Sequence, residues 1–226
     1  MNPLPETPPE ALGPVVYEQV FVDGQTFVIA RPGDADRLLE APAVRSTFAA
    51  DEYLPYWADL WPAARMLAKV VLREPWPPGR EALEVGCGLG LAGIAALSAG
   101  LRVTFSDYDA TALRFAADNA RANGFHDFRL LHMDWCSPPD DLRVPVVLAS
   151  DLLYELCNVE PLVALIRRVL SPGGLCLVTD QDRAPSYALR HALASGELSF
   201  TTHGMKAGEP GGRRVRGTLY RITHAR

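Results

Sequence analysis

Short apolar runs alternate with longer amphipathic stretches along most of the chain. A continuous apolar run such as Val144–Ala149 is typical of a parallel strand that is buried on both faces. Five such runs predict strands in the central part of the chain: Ala82–Val85, Arg102–Ser106, Phe128–His132, Val144–Ala149 and Leu175–Thr179. The stretches between and after them have helical spacing: Leu91–Leu97, Ala110–Asn123, Asn158–Leu170 and Pro185–Ala194.

The C-terminal part adds two predicted strands, Ser199–His203 and Thr218–Thr223, joined by a loop rich in glycine and arginine. Strands that alternate with helices form parallel sheets covered on both faces, and a final hairpin adds antiparallel strands. The pattern therefore predicts an α/β fold, with a doubly wound, mostly parallel, seven-stranded sheet closed by an antiparallel hairpin.

A different pattern precedes this sheet. Val15–Val22 and Gln25–Arg31 are rich in β-forming residues, and Asp23-Gly24 between them predicts a β-hairpin. Helical segments are predicted around Asp34–Glu40 and at Pro62–Leu72. The hairpin and these helices form an N-terminal extension to the sheet.

The domain organisation follows from these segments. A chain of 226 residues with 48% hydrophobic content can bury one full core. We predict a single domain over residues 15–226, with an accessory part at 15–75 and a ligand-binding core at 80–226. Residues 1–14 contain five prolines and predict a flexible lead-in.

Composition limits the classes of function. The net charge of −5 disfavours a general nucleic-acid-binding protein, which would carry a basic surface. The four cysteines lack the spacing of a metal site, so we expect no metal and reduced thiols in the cytoplasm. No signal peptide and no apolar run long enough for a membrane span is recognised, and we expect a monomer without a membrane partner.

The most informative segment is Glu84-Val85-Gly86-Cys87-Gly88-Leu89-Gly90, where a strand runs into alternate glycines and then a helix. Glycine permits a sharp turn and close approach of a ligand to the backbone, and the helix start offers free N–H groups. The dinucleotide pattern G-x-G-x-x-G fails because its third glycine would fall on Leu91. The pattern E-x-G-x-G-x-G is complete and resembles motif I of the class I S-adenosylmethionine (SAM)-dependent methyltransferases.

This resemblance implies SAM as cofactor, S-adenosylhomocysteine as product and a set of binding residues. Glu84 is expected to face the methionine part, and Asp107, at the end of the next strand, to accept from the ribose hydroxyls. Asp109 is expected to be a helix N-cap. Asp134 is expected to accept from the adenine amino group and Trp135 to offer it an apolar face. The remaining expected cofactor-binding residues are Trp61, Gly86, Cys87, Gly88, Gly90, Tyr108 and Ser150.

Further motifs resemble methyltransferase family 16, a seven-strand group rich in protein lysine methyltransferases. They are the segment Tyr56–Pro62, Asp134-Trp135 and the D-x-x-Y motif Asp151-Leu152-Leu153-Tyr154. The resemblance extends over residues 15–226 and implies transfer of a methyl group to a protein lysine. In that reaction Asp151 would orient the acceptor amine, and Tyr154 would supply a hydroxyl and a ring for cation–π contact. The alternative for Tyr154 is a core aromatic residue at the sheet edge.

Other interpretations stay open at this stage. The same core could methylate a small-molecule amine, because a fold does not fix the substrate, or could bind SAM without catalysis. The loop Lys206–Gly217 carries Arg213, Arg214 and Arg216 on an acidic protein. It is either a solvated hairpin tip or a contact for an acidic protein surface.

Overall fold

The computed structural model of the chain describes residues 6–7, 11–34, 38, 54–194, 196–208 and 214–225. The strands are β1 (Val15–Val22), β2 (Gln25–Pro32), β3 (Glu81–Val85), β4 (Arg102–Asp107), β5 (Arg129–His132), β6 (Val144–Ser150), β7 (Leu170–Asp180), β8 (Leu198–Ala207) and β9 (Val215–His224). The helices are α1 (Pro62–Arg73), α2 (Leu91–Ser98), α3 (Ala110–Ala122), α4 (Val159–Val169) and α5 (Pro185–Ala194). Single 3₁₀ turns lie at Tyr56–Ala58 and Leu156–Asn158.

Seven strands form one sheet in the order β5-β4-β3-β6-β7-β9-β8. Its strands run parallel except β9, which is antiparallel to both β7 and β8. This architecture confirms the predicted doubly wound sheet with an antiparallel end. The order reverses at β3, which pairs with β4 on one side and β6 on the other. A crevice therefore lies outside the carboxyl ends of these strands, where open α/β sheets bind their ligands.

The helices cover the sheet in two layers. On one face, α1, α2, α3 and the hairpin form a buried apolar cluster, and on the other face α4 and α5 form a second cluster. Helix α2 is buried from Leu91 to Leu97 because it lies in the middle of its layer. Its lack of a polar face is typical of such a fully covered helix. No helix in the described part of the chain has the length and apolar character needed to cross a membrane.

The predicted N-terminal hairpin is confirmed. Strands β1 and β2 pair antiparallel, and both turn residues have positive φ, +48° at Asp23 and +83° at Gly24. Two asparagines of the α3 region hold β2. The Asn123 side-chain oxygen accepts from the Val28 amide at 2.9 Å, and that of Asn119 accepts from the Ala30 amide at 2.7 Å. The free edge of β2 is thus satisfied by side chains and docked onto the core.

Several boundaries differ from the sequence prediction. Strand β7 begins at Leu170, where we predicted a helix end. Leu170 pairs with Val144, and pairing resumes at Leu175 after the Pro-Gly-Gly turn loops out. Strands β8 and β9 each extend to 10 residues because they pair along their whole length. Most of the helix predicted around Asp34–Glu40 lies outside the described residues.

The lead-in contains one anchored residue. Thr7 is buried, its amide donates to Asp109 Oδ1 at 3.2 Å, and its hydroxyl donates to Asp109 Oδ2. Thr7 therefore departs from the flexibility predicted for residues 1–14, because these two hydrogen bonds and a third, from the Thr111 hydroxyl to the Thr7 carbonyl, tie it to the start of α3. The proposed domain boundaries stay a prediction.

The close packing of β3, β4 and α2 can be tested by a substitution at Gly93. A Cβ at Gly93 would overlap the Phe105 ring and lie 2.5 Å from Glu84 Oε2. Gly93→Ala should therefore lower the free energy of unfolding by about 1–3 kcal/mol, although alanine favours a helix by up to ~1 kcal/mol. Urea unfolding measures the change. Gly204→Ala is the matched control, because no atom lies within 4 Å of its added Cβ. Equal midpoints for the two variants would contradict this packing.

Candidate active site

The loop after β3 has the conformation that its glycines permit. Gly86, Gly88 and Gly90 have φ of +58°, +51° and +83°. We call residues 86–90 the glycine loop. A Cβ at Gly86 would lie 2.5 Å from Leu152 Cδ2, and one at Gly90 would lie 2.9 Å from Ala116 Cβ. Side chains at these positions are therefore excluded by both backbone conformation and space.

Asp107 lies beside this loop, at the end of β4. Its Oδ2 accepts from the Gly88 amide at 2.8 Å, and its Oδ1 accepts from the Asp109 amide at 3.0 Å. Burial raises the pKa of the Asp107 carboxyl to about 6. Each oxygen retains capacity for a further hydrogen bond, so the carboxylate could accept from a vicinal diol.

Glu84 lies on β3, the strand next to β4, and is 2% exposed. Its Oε2 accepts from the Gly93 amide at 3.0 Å, so the carboxylate caps the start of α2 from the neighbouring strand. Burial, together with the nearby Asp107 carboxyl, raises the pKa of Glu84 to about 8. The structure thus shows Glu84 bound to the helix, and its expected contact with the methionine part of a cofactor stays a prediction.

Asp109 is the N-cap of α3, as predicted, because its Oδ1 accepts from the Thr111 amide at 2.7 Å. The same carboxylate accepts from the Trp57 indole at 3.0 Å and from Thr7. Sequence reasoning missed this network. Its members are distant in the chain, and no local signal marks Thr7 or Trp57 as a partner of Asp109.

A second carboxylate, Asp151, lies at the end of β6. It is 7% exposed and has φ of +60°, which is uncommon for a residue with a side chain. Its Oδ1 forms an ion pair with Arg183 Nη1 at 2.8 Å, and its Oδ2 accepts from the side-chain Nε2 of Gln181. Burial raises the pKa of Asp151 to about 6, while Arg183 acts in the opposite direction. Backbone strain in a buried polar cluster is a common property of functional sites.

Aromatic rings line the same region. The Tyr154 and Tyr56 ring centroids are 5.2 Å apart, and Tyr56 meets Trp61 edge-on at 6.5 Å. The Arg183 guanidinium lies over the Trp61 ring, 5.4 Å from its centroid. The structure therefore brings Asp151, Tyr154 and Trp61 together through Tyr56 and Arg183. Tyr154 is 41% exposed, which excludes the alternative that it is a core residue.

The other predicted cofactor residues have local partners. Asp134 Oδ1 accepts from the Cys136 amide at 2.8 Å, and Trp135 packs against the cluster on the α4–α5 face. Cys87 is buried and its amide donates to the Ser106 carbonyl at 2.9 Å. Tyr108 and Ser150 are half-buried next to Asp107 and Asp151. Their roles toward a cofactor stay predictions.

Gln181 and Arg183 were missed by the sequence analysis. They directly follow β7, and the rule that identified Asp151 after β6 applies equally to residues after the neighbouring strand. A systematic search of all strand ends would have included them. Their contact with Asp151 could not be inferred, because it depends on side-chain placement across the gap between two loops.

Part of the chain is similar to a known family of domains. Residues 83–176 match a family model described as a methyltransferase domain. The match begins on the residue before Glu84 and includes the glycine loop, Asp107 and Asp151.

Two curated relatives are similar to part of the chain. The ribosomal protein L11 methyltransferase of Marinobacter nauticus is 39% identical over 98 residues, which is 42% of this chain and 31% of that protein. The protein-lysine N-methyltransferase rrg1 of Schizosaccharomyces pombe is 30% identical over 169 residues, 63% of this chain and 52% of that protein. The chain thus spans 31% of the length of one of these relatives and 52% of the other.

Solved structures share the fold. The ribosomal protein L11 methylase of Lactobacillus delbrueckii subsp. bulgaricus superposes with a TM-score of 0.60 at 21% identity, covering 73% of this chain and 79% of that one. Magnesium protoporphyrin IX methyltransferase of Synechocystis PCC 6803, with bound S-adenosylhomocysteine (SAH), gives 0.57 at 14%, covering 71% and 82%. The sheet is that of a class I methyltransferase, and the comparisons together support a methyltransferase enzyme.

The buried Glu84 generates a test of pH dependence. Its pKa of about 8 in the folded protein exceeds the ordinary value of 4.5. Between these values the folded state holds a proton that the unfolded chain has released, so the free energy of unfolding falls as pH rises. Glu84→Gln keeps an acceptor without the charge. Its stability relative to wild type should rise by about 2–4 kcal/mol between pH 5 and pH 9 in urea unfolding.

Glu160→Gln is the control for Glu84→Gln, because Glu160 is an exposed residue of α4. Its effect on stability should stay within about 0.5 kcal/mol at every pH. A Glu84→Gln effect that is equally independent of pH would show that Glu84 does not hold a proton in the folded state.

Proposed function

We propose that this chain is a SAM-dependent methyltransferase that transfers a methyl group to a lysine side chain of a protein. One observation carries the proposal. The glycine loop after β3 lies between two buried carboxylates at the ends of the adjacent strands, Asp107 on β4 and Asp151 on β6. One carboxylate suits a ribose diol and the other a cation, so a cofactor and an amine would meet above the loop.

The residues fit the proposed cofactor. The three glycines allow the sharp turn of the loop through positive φ, and the Gly88 amide fixes Asp107 beside it. Asp107 is ionised above its pKa of about 6, and an ionised carboxylate is the stronger acceptor for ribose hydroxyls. The SAH-bound neighbour with the same fold supports SAM as the molecule that these groups would hold.

When bound, SAM supplies a methyl group on a sulfonium for in-line displacement. The protein then has to orient the acceptor and allow its deprotonation. At a pKa of about 10.4, only about one lysine in 10³ is neutral at pH 7. Asp151 attracts the ammonium and aligns it, and the proton leaves to water as the amine enters the aromatic surroundings of Trp61 and Tyr154. The carboxylate is therefore an orienting group.

A protein acceptor is supported by a basic groove between α1 and the β8–β9 hairpin. The groove has a volume of about 420 Å³, and its cations are Lys69, Arg73, Lys206, Arg214 and Arg221. Arg221 pairs with Glu74 at 2.7 Å and Arg73 with Asp23, which leaves an excess of positive charge. A free amine needs no such surface, whereas an acidic protein surface would be complementary to it.

The names of the two relatives agree with a protein acceptor. One is a methyltransferase of ribosomal protein L11 and the other a protein-lysine N-methyltransferase. A small-molecule amine as acceptor, or SAM binding without turnover, are the alternatives that the experiments below separate.

Two variants should show opposite defects. Asp107→Ala should weaken SAH binding at least tenfold, because it removes the proposed acceptors of the ribose diol. Asp151→Ala should keep SAH affinity near the wild-type value but lower turnover roughly hundredfold, because the acceptor is no longer aligned. Calorimetric titration measures affinity, and transfer of tritiated methyl groups from SAM to a cell lysate measures turnover.

These assays also test the broader assignment. NAD should show no binding, and tight NAD binding would overturn the SAM assignment. Label recovered in small amines would select the small-molecule alternative, and SAH binding without any labelled acceptor would select the non-catalytic one. Asp151→Ala with normal turnover would remove Asp151 from the acceptor site.

The basic groove predicts a salt-dependent effect on acceptor binding. Lys206→Glu with Arg214→Glu should raise KM for the labelled protein acceptor roughly tenfold at low ionic strength, since exposed pairs contribute about 0.2–1 kcal/mol each. The effect should shrink as salt screens the charges, and SAH affinity should not change. Arg213, predicted to act with Arg214, lies outside the described residues.

Arg129→Glu with Arg143→Glu is the matched control for the groove variant. It makes the same change in net charge at exposed positions near β5 and the start of β6, away from the groove. The two double variants should differ in KM. If the two double variants have the same KM at every ionic strength, the loop Lys206–Gly217 is a solvated hairpin tip.

A further inference from the structure

The Asp151 carboxylate and the Trp61 ring hold a cation of the protein itself. Arg183 contributes Nη1 to the ion pair with Asp151 at 2.8 Å, and its guanidinium carbon lies 5.4 Å from the Trp61 ring centroid. We call the Asp151 carboxylate and the Trp61 indole the cation clamp. The guanidinium thus has a carboxylate on one side and an aromatic face on another.

The clamp offers what a protonated amine needs. An ammonium buried against protein is stabilised by a charge-assisted hydrogen bond to a carboxylate and by cation–π contact with an aromatic ring. Both groups are engaged by Arg183, and the second oxygen of Asp151 accepts from Gln181. An amine that enters between Asp151 and Trp61 would therefore compete directly with the guanidinium.

We propose that the clamp is the acceptor-amine site and that Arg183 occupies it until a cationic acceptor displaces it. This inference rests on the proposed methyltransferase function and specifies how the acceptor site selects its ligand by charge. Arg183 is then a specificity-determining residue. It admits ligands that carry a positive charge and excludes neutral ones.

The need to keep the Asp151 carboxylate paired with a cation explains why the clamp selects charged ligands. Removing the partner of a buried ion pair is strongly unfavourable, because the remaining charge is left without compensation. The Asp151 side chain is only 5% exposed. Exchange of the guanidinium for an ammonium keeps Asp151 paired throughout, whereas a neutral ligand would leave it unpaired.

The surroundings allow the Arg183 side chain to move while its backbone stays in place. The connection between β7 and α5 is held at Asp180, whose Oδ1 accepts from the Arg183 amide at 3.2 Å and from the Ser186 hydroxyl. Asp182 is held by the Thr218 hydroxyl at 2.6 Å. The Arg183 side chain itself is 28% exposed, so rotation about its own torsions gives it a route to solvent.

A cofactor analogue tests the proposal without the natural acceptor. Sinefungin has, in place of the SAH sulfur, a carbon that carries a primary amine, and this amine projects where the transferred methyl group would be. In the wild-type protein this amine must compete with Arg183. Arg183→Ala should therefore improve sinefungin affinity relative to SAH by about tenfold or more, measured by calorimetric titration of both ligands. Arg183→Lys, which keeps a cation, should leave the affinity ratio near the wild-type value.

The gain must depend on Asp151. Arg183→Ala combined with Asp151→Asn should lose the improvement, because the amine then has no carboxylate to bind. Arg190→Ala is the matched control. Arg190 is an exposed cation of α5 that lies over the Tyr187 and Tyr220 rings, and its removal should leave the ratio unchanged.

The outcomes separate this proposal from the proposed function. Failure of the wild-type protein to bind SAH would overturn the SAM assignment. Normal SAH binding with an unchanged sinefungin ratio in Arg183→Ala would overturn the cation-clamp proposal alone. If Arg183→Ala does not fold, Arg183→Gln removes the charge with less loss of packing and decides the question by the same ratio.

Discussion

The hydrogen bond from the Gly88 amide to the Asp107 carboxylate joins the ends of two parallel strands at the point where the strand order reverses. It is possible only because the glycine loop turns back toward β4 through three residues with positive φ. The loop in turn lies under Leu152 and beside Ala116, so the chain after β6 and helix α3 are packed against it. Replacing a loop glycine would disturb all of these contacts together. The floor of the crevice is thus fixed by backbone conformation, whereas side chains determine what binds there.

The buried carboxylates of this crevice oppose folding at neutral pH. Burial raises the pKa of Glu84, Asp107 and Asp151 above ordinary values, which means that the ionised forms are less stable in the fold than in water. The partners that compensate this cost are of two kinds. Glu84 and Asp107 accept from backbone amides, whereas Asp151 has a cationic side chain. A backbone amide is fixed by the chain and stays beside its carboxylate, whereas a side chain can rotate away. This difference makes Asp151 the one of the three whose partner can be exchanged for a ligand.

Local signals predicted most of the fold and part of the site. The continuous apolar strands, the Asp23-Gly24 turn and the Asp109 cap are determined by neighbouring residues, and the structure confirms them. Strand ends also placed Asp107 and Asp151 at the same edge of the sheet. The orientation of Glu84 toward α2 could not be predicted, because it depends on the close approach of Gly93 to β3. Likewise, the contacts of Thr7 with Asp109 and of Arg183 with Trp61 join segments more than 100 residues apart in the chain.

The two cationic features of the proposed acceptor surface act over different distances. Charges in the exposed basic groove act over the Debye length, which is about 10 Å at moderate salt. They favour an acidic surface without fixing its position. The Asp151–Arg183 pair lies in a buried cluster, where screening is weak and one cation can be exchanged only for another at contact distance. An acceptor that satisfies both has a basic side chain next to acidic residues. In such a segment the acidic residues neutralise part of the positive surface of the groove, and the single amine is free to replace Arg183. The groove would therefore govern encounter with the acceptor, and the clamp would govern which side chain enters.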